Sequence, residues 1–323
     1  ESNFNAFRRH FISTSIPELF AGGQADWTNN GSAAHGARMS YFSRANYSYK
    51  GKYLLEFVGR YDGSYLFPSG KRFGFFPAFS GGWRISQEPF FKDVNFFNDL
   101  KLRASWGKTG NDITDPGSLV EAQQFLSGFQ FGSGYVLGID QVFPSIYQSR
   151  VANPNATWES SNQTDIGIDI IALNNRLSFT FDYWNELRSG ILIQRNASVP
   201  QSTGLTLPRE NLGKVRSWGY DGTVSWNQKV KKDLSFQARL TWGYANNKIV
   251  FWDEAPGAPS YQVSTNRKIG AALYYQSIGV FQNQAEVDKY THWTGARAGD
   301  LIFKDMNNDG KINADDRVRI NKV

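Results

Sequence analysis

Between Arg38 and Asp62 hydrophobic and polar residues alternate with a period of two, and the alternation turns back on itself at Lys50-Gly51. Before the turn, Tyr41, Ala45, Tyr47 and Tyr49 fall on one face and Ser40, Arg44, Asn46 and Ser48 on the other. After it, Tyr53, Leu55, Phe57 and Tyr61 continue the apolar face, while Glu56, Arg60 and Asp62 continue the polar one. Alternate side chains of a strand point to opposite faces of a sheet, so the segment predicts a hairpin with an aromatic face and a charged face. Each arm has the ~9–11 residues that a tilted strand needs to cross a bilayer. An apolar outside and a polar inside are what a wall between lipid and a wet lumen requires.

The same alternation recurs along the chain. Leu102, Ala104 and Trp106 oppose Lys101, Arg103 and Ser105; Ile166, Ile168 and Ile170 oppose Asp165 and Asp169. Leu177, Phe179, Phe181 and Tyr183 oppose Ser178, Thr180 and Asp182. Tyr220, Val224 and Trp226 oppose Asp221, Thr223 and Ser225, and Leu234, Phe236, Ala238, Leu240 and Trp242 oppose Ser235, Gln237, Arg239 and Thr241. Tight turns are expected at Tyr49–Lys52, Leu173–Arg176 and Lys229–Asp233, and a longer link at Gln87–Asp99. Between them stand long Gly-, Ser-, Asn- and Pro-rich segments: Thr14–His35, Gly63–Phe73, Lys108–Thr157, Ser189–Ser217 and Lys248 onward. Short turns on one side and long loops on the other mark a membrane barrel, not a soluble sandwich. The expected fold is therefore all-β, a transmembrane antiparallel β-barrel, with roughly ten spans from a first strand at Phe4–Phe11. No returning strand follows the last loop, so these spans are expected to form an arc of a larger barrel.

Composition changes this picture little. The 323 residues contain no apolar run long enough for a membrane helix and no signal peptide at Glu1. The mean hydropathy of −0.47 is that of a soluble chain, but alternating strands average out in such a measure. Ten Trp, 15 Tyr and 25 Phe suit rings anchored at two membrane interfaces. The absence of Cys removes disulfides and thiolate chemistry. The net charge of +6 and pI near 9.3 are spread over polar strand positions, with one cluster at Lys229–Lys232, which is no phosphate track; nucleic acid is not an expected partner.

Catalysis finds no constellation. The three histidines, His10, His35 and His292, are widely separated, and neither HExxH nor GxSxG occurs. Gly107–Asn111 brushes against a phosphate loop, but Leu102 stands where the first glycine is needed. The chain is not expected to be an enzyme. Loop aromatics (Tyr65, Phe67, Trp158, Trp252, Tyr261 and Trp293) suit interfacial anchoring and packing; stacking on sugar rings and contact with a lid protein remain alternatives.

One loop has ligand spacing. In Asp305–Asp316, Asp305, Asn307 and Asp309 occupy positions one, three and five of a calcium loop, and Gly310 gives the turn at six. The Lys311 carbonyl would serve at seven, and Asp316 stands where an EF-hand has Glu. Alternating hard oxygen donors can wrap one Ca²⁺. A strand-like segment precedes the loop where an EF-hand has a helix, and the alternative is an Asx-rich turn bonded to its own backbone.

Several blocks in order carry a family resemblance. They are Tyr41–Leu55, Gly59–Ser64, Phe73–Ser86, Leu100–Asn111, Asn211–Arg216 and Gly299–Ile312. In these the chain resembles the SusC/RagA family of TonB-dependent outer-membrane transporters of Bacteroidota, over nearly its whole length. The resemblance implies a barrel of about 22 strands, of which residues 1–323 form part, with 299–317 as an extracellular Asp/Asn-rich loop. The family's N-terminal plug, its TonB-contacting segment and its final strands have no counterpart in these residues. It further implies import of a bulky nutrient, a glycan or peptide, across the bacterial outer membrane, with a SusD-like surface lipoprotein and TonB as partners. On that reading Arg44, Glu56, Arg60, Arg84, Arg103, Asp165, Asp182 and Arg239 line the lumen, while Tyr47, Leu55, Phe57, Phe179, Phe181 and Leu240 face lipid. A non-transporting scaffold of the same family, and a soluble calcium-dependent carbohydrate-binding β-protein, are the rival readings.

Overall fold

A computed structural model describes residues 2–10, 19, 28–33, 36–91, 94–112, 123–138, 141–195, 207–231 and 233–320. Its centre is one antiparallel sheet of eight strands. These are β3 (Arg38–Tyr49), β4 (Tyr53–Ser64), β5 (Phe73–Arg84), β6 (Phe97–Asn111), β9 (Glu159–Ala172), β10 (Leu177–Gln194), β11 (Arg209–Lys231) and β12 (Leu234–Phe251). They lie side by side in chain order, β3 at one edge and β12 at the other. The sheet is an arc and does not close on itself. Among the described residues two further hairpins pair within themselves: β1 (Ser2–Phe7) with β2 (Thr28–Ala33), and β7 (Gly128–Leu137) with β8 (Gln141–Arg150).

Three strand limits differ from expectation. The Phe4–Phe11 strand is β1, ending at Phe7 and joined to β2 rather than to the sheet, so the wall holds eight strands where about ten were expected. The Lys108–Thr157 segment that polarity marks as plain loop holds the hairpin β7–β8, and β6 runs into it as far as Asn111. The Ser189–Ser217 segment is mostly strand: β10 runs to Gln194 and β11 begins at Arg209. Gly190, at φ 69°, shifts the register between Ser189 and Ile191 and so breaks the period-two signal without ending the strand.

The short connections lie where they are expected. Lys50 and Gly51 both have positive φ, 52° and 68°, the geometry of a two-residue turn whose twist matches the flanking strands. Leu173, Asn174 and Asn175 are also left-handed, and the Asn175 N–H donates to Asn98 Oδ1 at 3.1 Å, tying this turn to the β5–β6 connection. That connection is fastened to the first turn through Glu88. Its carboxylate accepts from Tyr53 Oη at 2.7 Å, Lys52 Nζ at 3.0 Å and Trp83 Nε1 at 3.2 Å. These donors, Tyr53 first, hold the Glu88 carboxyl down at about 2, against an ordinary value of 4.5. A depressed carboxyl stabilises the fold fully above its unfolded value and loses that contribution as pH falls through the folded one. Unfolding midpoints of the wild type should therefore drop between pH 4.5 and about 2. Glu88→Gln should be less stable at neutral pH and flatter across that window; an unchanged slope would show that the network does not hold the rim.

Register settles the faces. Tyr47↔Leu55↔Gly81↔Ala104↔Ile166↔Tyr183↔Tyr220↔Tyr244 is one row across the whole sheet, and every row parallel to it two residues away keeps the same side. The apolar face carries a ladder of rings, with Phe57–Phe79 centroids 4.9 Å apart and Tyr220–Tyr244 5.5 Å apart. Among the described residues nothing covers it: Leu240 is 62 % exposed, Tyr47 60 %, Leu55 57 % and Ile166 57 %. A water-soluble monomer does not leave so large a contiguous apolar surface open. This face needs a hydrophobic medium.

Beyond β12 the chain forms a small folded module on the long-loop side. It comprises β13 (Leu273–Tyr275), β14 (Ser277–Val280), α1 (Gln284–Lys289), β15 (Leu301–Phe303) and β16 (Arg317–Arg319), with β13 paired to β16 and β14 to β15. Phe281, Val287 and Ala296 form its core, packed by Trp293 and Ile302. Backbone bonds between Ile249 and both Asn266 and Arg267 fasten it to the end of β12.

Candidate functional site

The charged residues expected on the lumen side all fall on the polar face of the sheet. Arg44 Nη2 meets Glu56 Oε2 at 2.7 Å across β3–β4, and Arg60 meets Asp62 at 3.2 Å. Arg84 sits at the short-turn end of β5, where Asp99 holds it at 3.0 Å and Ser86 donates to the same carboxylate at 2.6 Å. Arg239 donates to Ser225 Oγ at 3.2 Å across β11–β12.

At mid-sheet Arg103 makes two bonds to Asp169 on β9, at 2.8 and 3.0 Å, and reaches past that strand to Asp182 on β10 at 2.9–3.1 Å. A guanidinium can span a neighbouring strand only where that strand has no side chain in the way. Gly167 provides the opening, because a Cβ there would collide with the Asp182 carboxylate and lie 2.8 Å from Arg103 Nη2. Lys101 approaches Asp169 at 3.6 Å. Asp165, opposite Ser105 and Trp184, stands in no ion pair among the described residues.

Lys101, Asp169 and Asp221, which the alternation puts on the polar side without naming them as lumen residues, lie on this face too, and Trp184 is the member that sequence reasoning missed. Trp184 was reachable, since the polar positions Ser178, Thr180 and Asp182 continue onto it. Its indole lies over Gly219 on β11, where a Cβ would come within 2.7 Å of the ring.

At the long-loop end the polar face is roofed by aromatics. Phe67 and Phe76, almost fully buried, pack on Trp158 with centroids 5.3 and 5.2 Å away, and Trp158 Nε1 donates to the Arg72 carbonyl at 3.0 Å. Phe67 and Trp158 therefore serve packing, as does Trp293, tilted against Phe303 with ring centroids 5.1 Å apart.

The Asp305–Asp316 loop closes on itself. Asp305 Oδ2 accepts from Gly310 N at 2.9 Å, Asp309 Oδ1 from Lys311 N at 2.8 Å, and Asn307 Oδ1 from Asp309 N at 3.1 Å. Asp316 is fully buried and its two oxygens accept from Met306 N and Asn313 N, each at 2.8 Å. Among the described residues no three His, Cys, Asp or Glu side chains gather at metal-binding spacing. Asp305 Oδ1, however, is buried without a hydrogen-bond partner, an oxygen that a hard cation would satisfy. Tyr261 Oη donates to the Asp315 carbonyl at 3.0 Å, and burial beside these acids raises its phenol above the ordinary value.

A one-layer antiparallel arc with one apolar and one polar face, short turns at one rim and long loops at the other, defines a segment of an outer-membrane-type β-barrel. Residues 3–318 match the family described as TonB dependent receptor-like, beta-barrel, and the chain belongs to that family. It is 30% identical over 293 residues to TonB-dependent receptor P26 of Formosa agariphila, a match covering 86% of this chain and 28% of the relative. It is 27% identical over 297 residues to TonB-dependent receptor SusC of Bacteroides thetaiotaomicron, covering 88% and 28%. The chain thus spans under a third of the length of these relatives. Among solved structures, that of the RagAB peptide transporter superposes with a TM-score of 0.70 at 22% identity, over 97% of this chain and 33% of that one. The fold is that of a SusC/RagA-like barrel wall.

Proposed function

We propose that the protein containing this chain sits in the bacterial outer membrane and imports a bulky solute, a glycan or peptide, in the manner of a SusC-like barrel. The observation that supports this best is the separation of an uncovered apolar face from a charged, ion-paired face along all eight strands of a chain of this family. The apolar face meets lipid, and the polar face lines the lumen through Arg44, Glu56, Arg60, Arg103, Asp165, Asp182 and Arg239, with Arg84 at the rim. The turns at Lys50-Gly51 and Asn174-Asn175 face the periplasm, and the long loops face outward to a SusD-like lipoprotein. Energy comes from TonB, acting through parts of the protein beyond these strands. Disrupting the gene should abolish uptake of one class of bulky solute, and a lipoprotein should co-purify with the barrel in mild detergent. Unchanged uptake of every glycan and peptide offered would overturn the reading.

We also propose Ca²⁺ for the Asp305–Asp316 loop, held by Asp305, Asn307, Asp309, the Lys311 carbonyl and Asp316. The ion would neutralise carboxylates that otherwise repel each other and would fasten residues 299–317. Asp309→Ala should then open this loop to protease in the presence of calcium, as a chelator should in the wild type, while the strands stay protected. Equal cleavage of the wild type with and without calcium would leave only the Asx-turn role.

A further inference from the structure

We infer that Asp165 and Trp184 form a subsite for a cationic group, the ammonium or guanidinium of a basic peptide, on the polar face of the sheet. The inference rests on the import reading, because a solute reaches this face only inside the barrel.

Three features converge there. The first is the indole. Trp184 stands on a face otherwise built from Thr180, Asp182, Asp221 and Thr223, and no packing need accounts for a Trp among them. Lying over Gly219, the ring rests against the neighbouring strand and lines a trough in the sheet. The second is the carboxylate directly opposite it on β9. Of the other acidic groups nearby, Glu56 has Arg44 at 2.7 Å, Glu186 has Ser161 Oγ at 2.6 Å and Arg188 at 3.5 Å, and Asp182 has Arg103 at 2.9 Å, while Asp221 on β11, like Asp165, stands in no ion pair among the described residues. Asp165 lies against the Asp182 carboxyl and near Asp221 and receives no bond from Arg103, whose guanidinium is spent on Asp169 and Asp182, so this cluster of acids holds more negative charge than its one arginine offsets. The third is room. A trough of about 370 Å³ runs past both residues over small side chains, Ala78, Ser80, Ser105 and Gly107.

A carboxylate beside an indole attracts a cation twice, by charge and by the ring quadrupole. A neutral sugar could stack on the same ring but would leave Asp165 unmatched. An anionic solute would be repelled. Charge complementarity thus selects the basic peptide.

The test uses the full-length protein in detergent, titrated calorimetrically with trilysine and with its Nε-acetylated form. Trilysine should bind, and acetylation should weaken binding about tenfold or more. Asp165→Asn and Trp184→Leu should each weaken trilysine about tenfold, Trp184→Phe should retain most of the affinity, and Thr180→Val should have no effect. Heat-modifiable migration in gels checks that each variant still folds. Failure of the wild type to bind trilysine, equal binding of the acetylated form, or unaltered binding by the Asp165 and Trp184 variants would overturn the subsite. So would an Asp165→Cys thiol closed to a cationic thiosulfonate reagent, since a segment of the protein itself would then cover the spot. Uptake by cells separates the two failures: a wild type that imports labelled glycan or peptide but binds trilysine no differently from its variants removes only the subsite, whereas a wild type that imports nothing removes the import reading.

Discussion

Arginine at Phe179 or Leu240 should cost about 2–4 kcal/mol of folding stability in a bilayer, whereas arginine at Thr180 or Gln237 should have little effect. The four positions form a controlled comparison. Phe179 pairs with Val224 and Ile170, and Leu240 with Val224, on the apolar face, while Thr180 pairs with Thr223 and Asp169, and Gln237 with Asn227, on the polar one. Leu240 is 62 % exposed within the chain, so removing it forfeits little packing. Any large penalty there must come from what surrounds the protein. An exposed, hydrated arginine costs almost nothing in water; near the middle of a hydrocarbon layer the same charge is unsolvated, and the long side chain must bend toward an interface. Reversible urea unfolding of the full-length protein in lipid vesicles would measure the difference. Penalties of equal size on the two faces would show that lipid does not lie against the Phe179 side.

The two faces were legible in the sequence because period-two alternation is a local property, carried by each strand without help from its neighbours. Strand lengths were legible only where the alternation held. At Gly190 a single extra residue inverts it, so the upper third of β10 reads as loop although it is fully paired with β11. The arginine–aspartate pairs were half legible: Arg103 and Asp182 fall on polar positions, but their meeting depends on a register spanning three strands, which no local pattern encodes. The Glu88 tie is of the same kind, since its donors come from residues 35 and 36 positions earlier as well as from Trp83. The calcium-like spacing is the reverse case, fully visible in sequence because all its groups lie within one loop.

Gly167→Ala should destabilise the sheet by about 1–3 kcal/mol, an unusual cost for adding one methyl group to a strand. Alanine is ordinarily the better strand residue, because glycine has more backbone freedom to lose on folding. Gly81→Ala shows the ordinary case: its Cβ would meet only Leu55 Cδ2, at 3.8 Å, and should be neutral or slightly stabilising. At Gly167 the new methyl enters the space where Arg103 crosses β9 to reach Asp182, with Arg103 Nη2 and Cζ at 2.8 and 2.9 Å. Either the guanidinium withdraws, leaving Asp182 without its cation, or the strands part. Arg103 and Asp182 are 30% and 20% exposed, so water makes up part of the lost pairing and the cost stays moderate. If this account is right, truncating the acid removes much of the collision: Gly167→Ala combined with Asp182→Ala should be less destabilised than the sum of the two single changes, by a coupling of at least ~0.5 kcal/mol. Strictly additive effects would mean that the glycine does not serve the crossing, and that the arginine reaches β10 by another route.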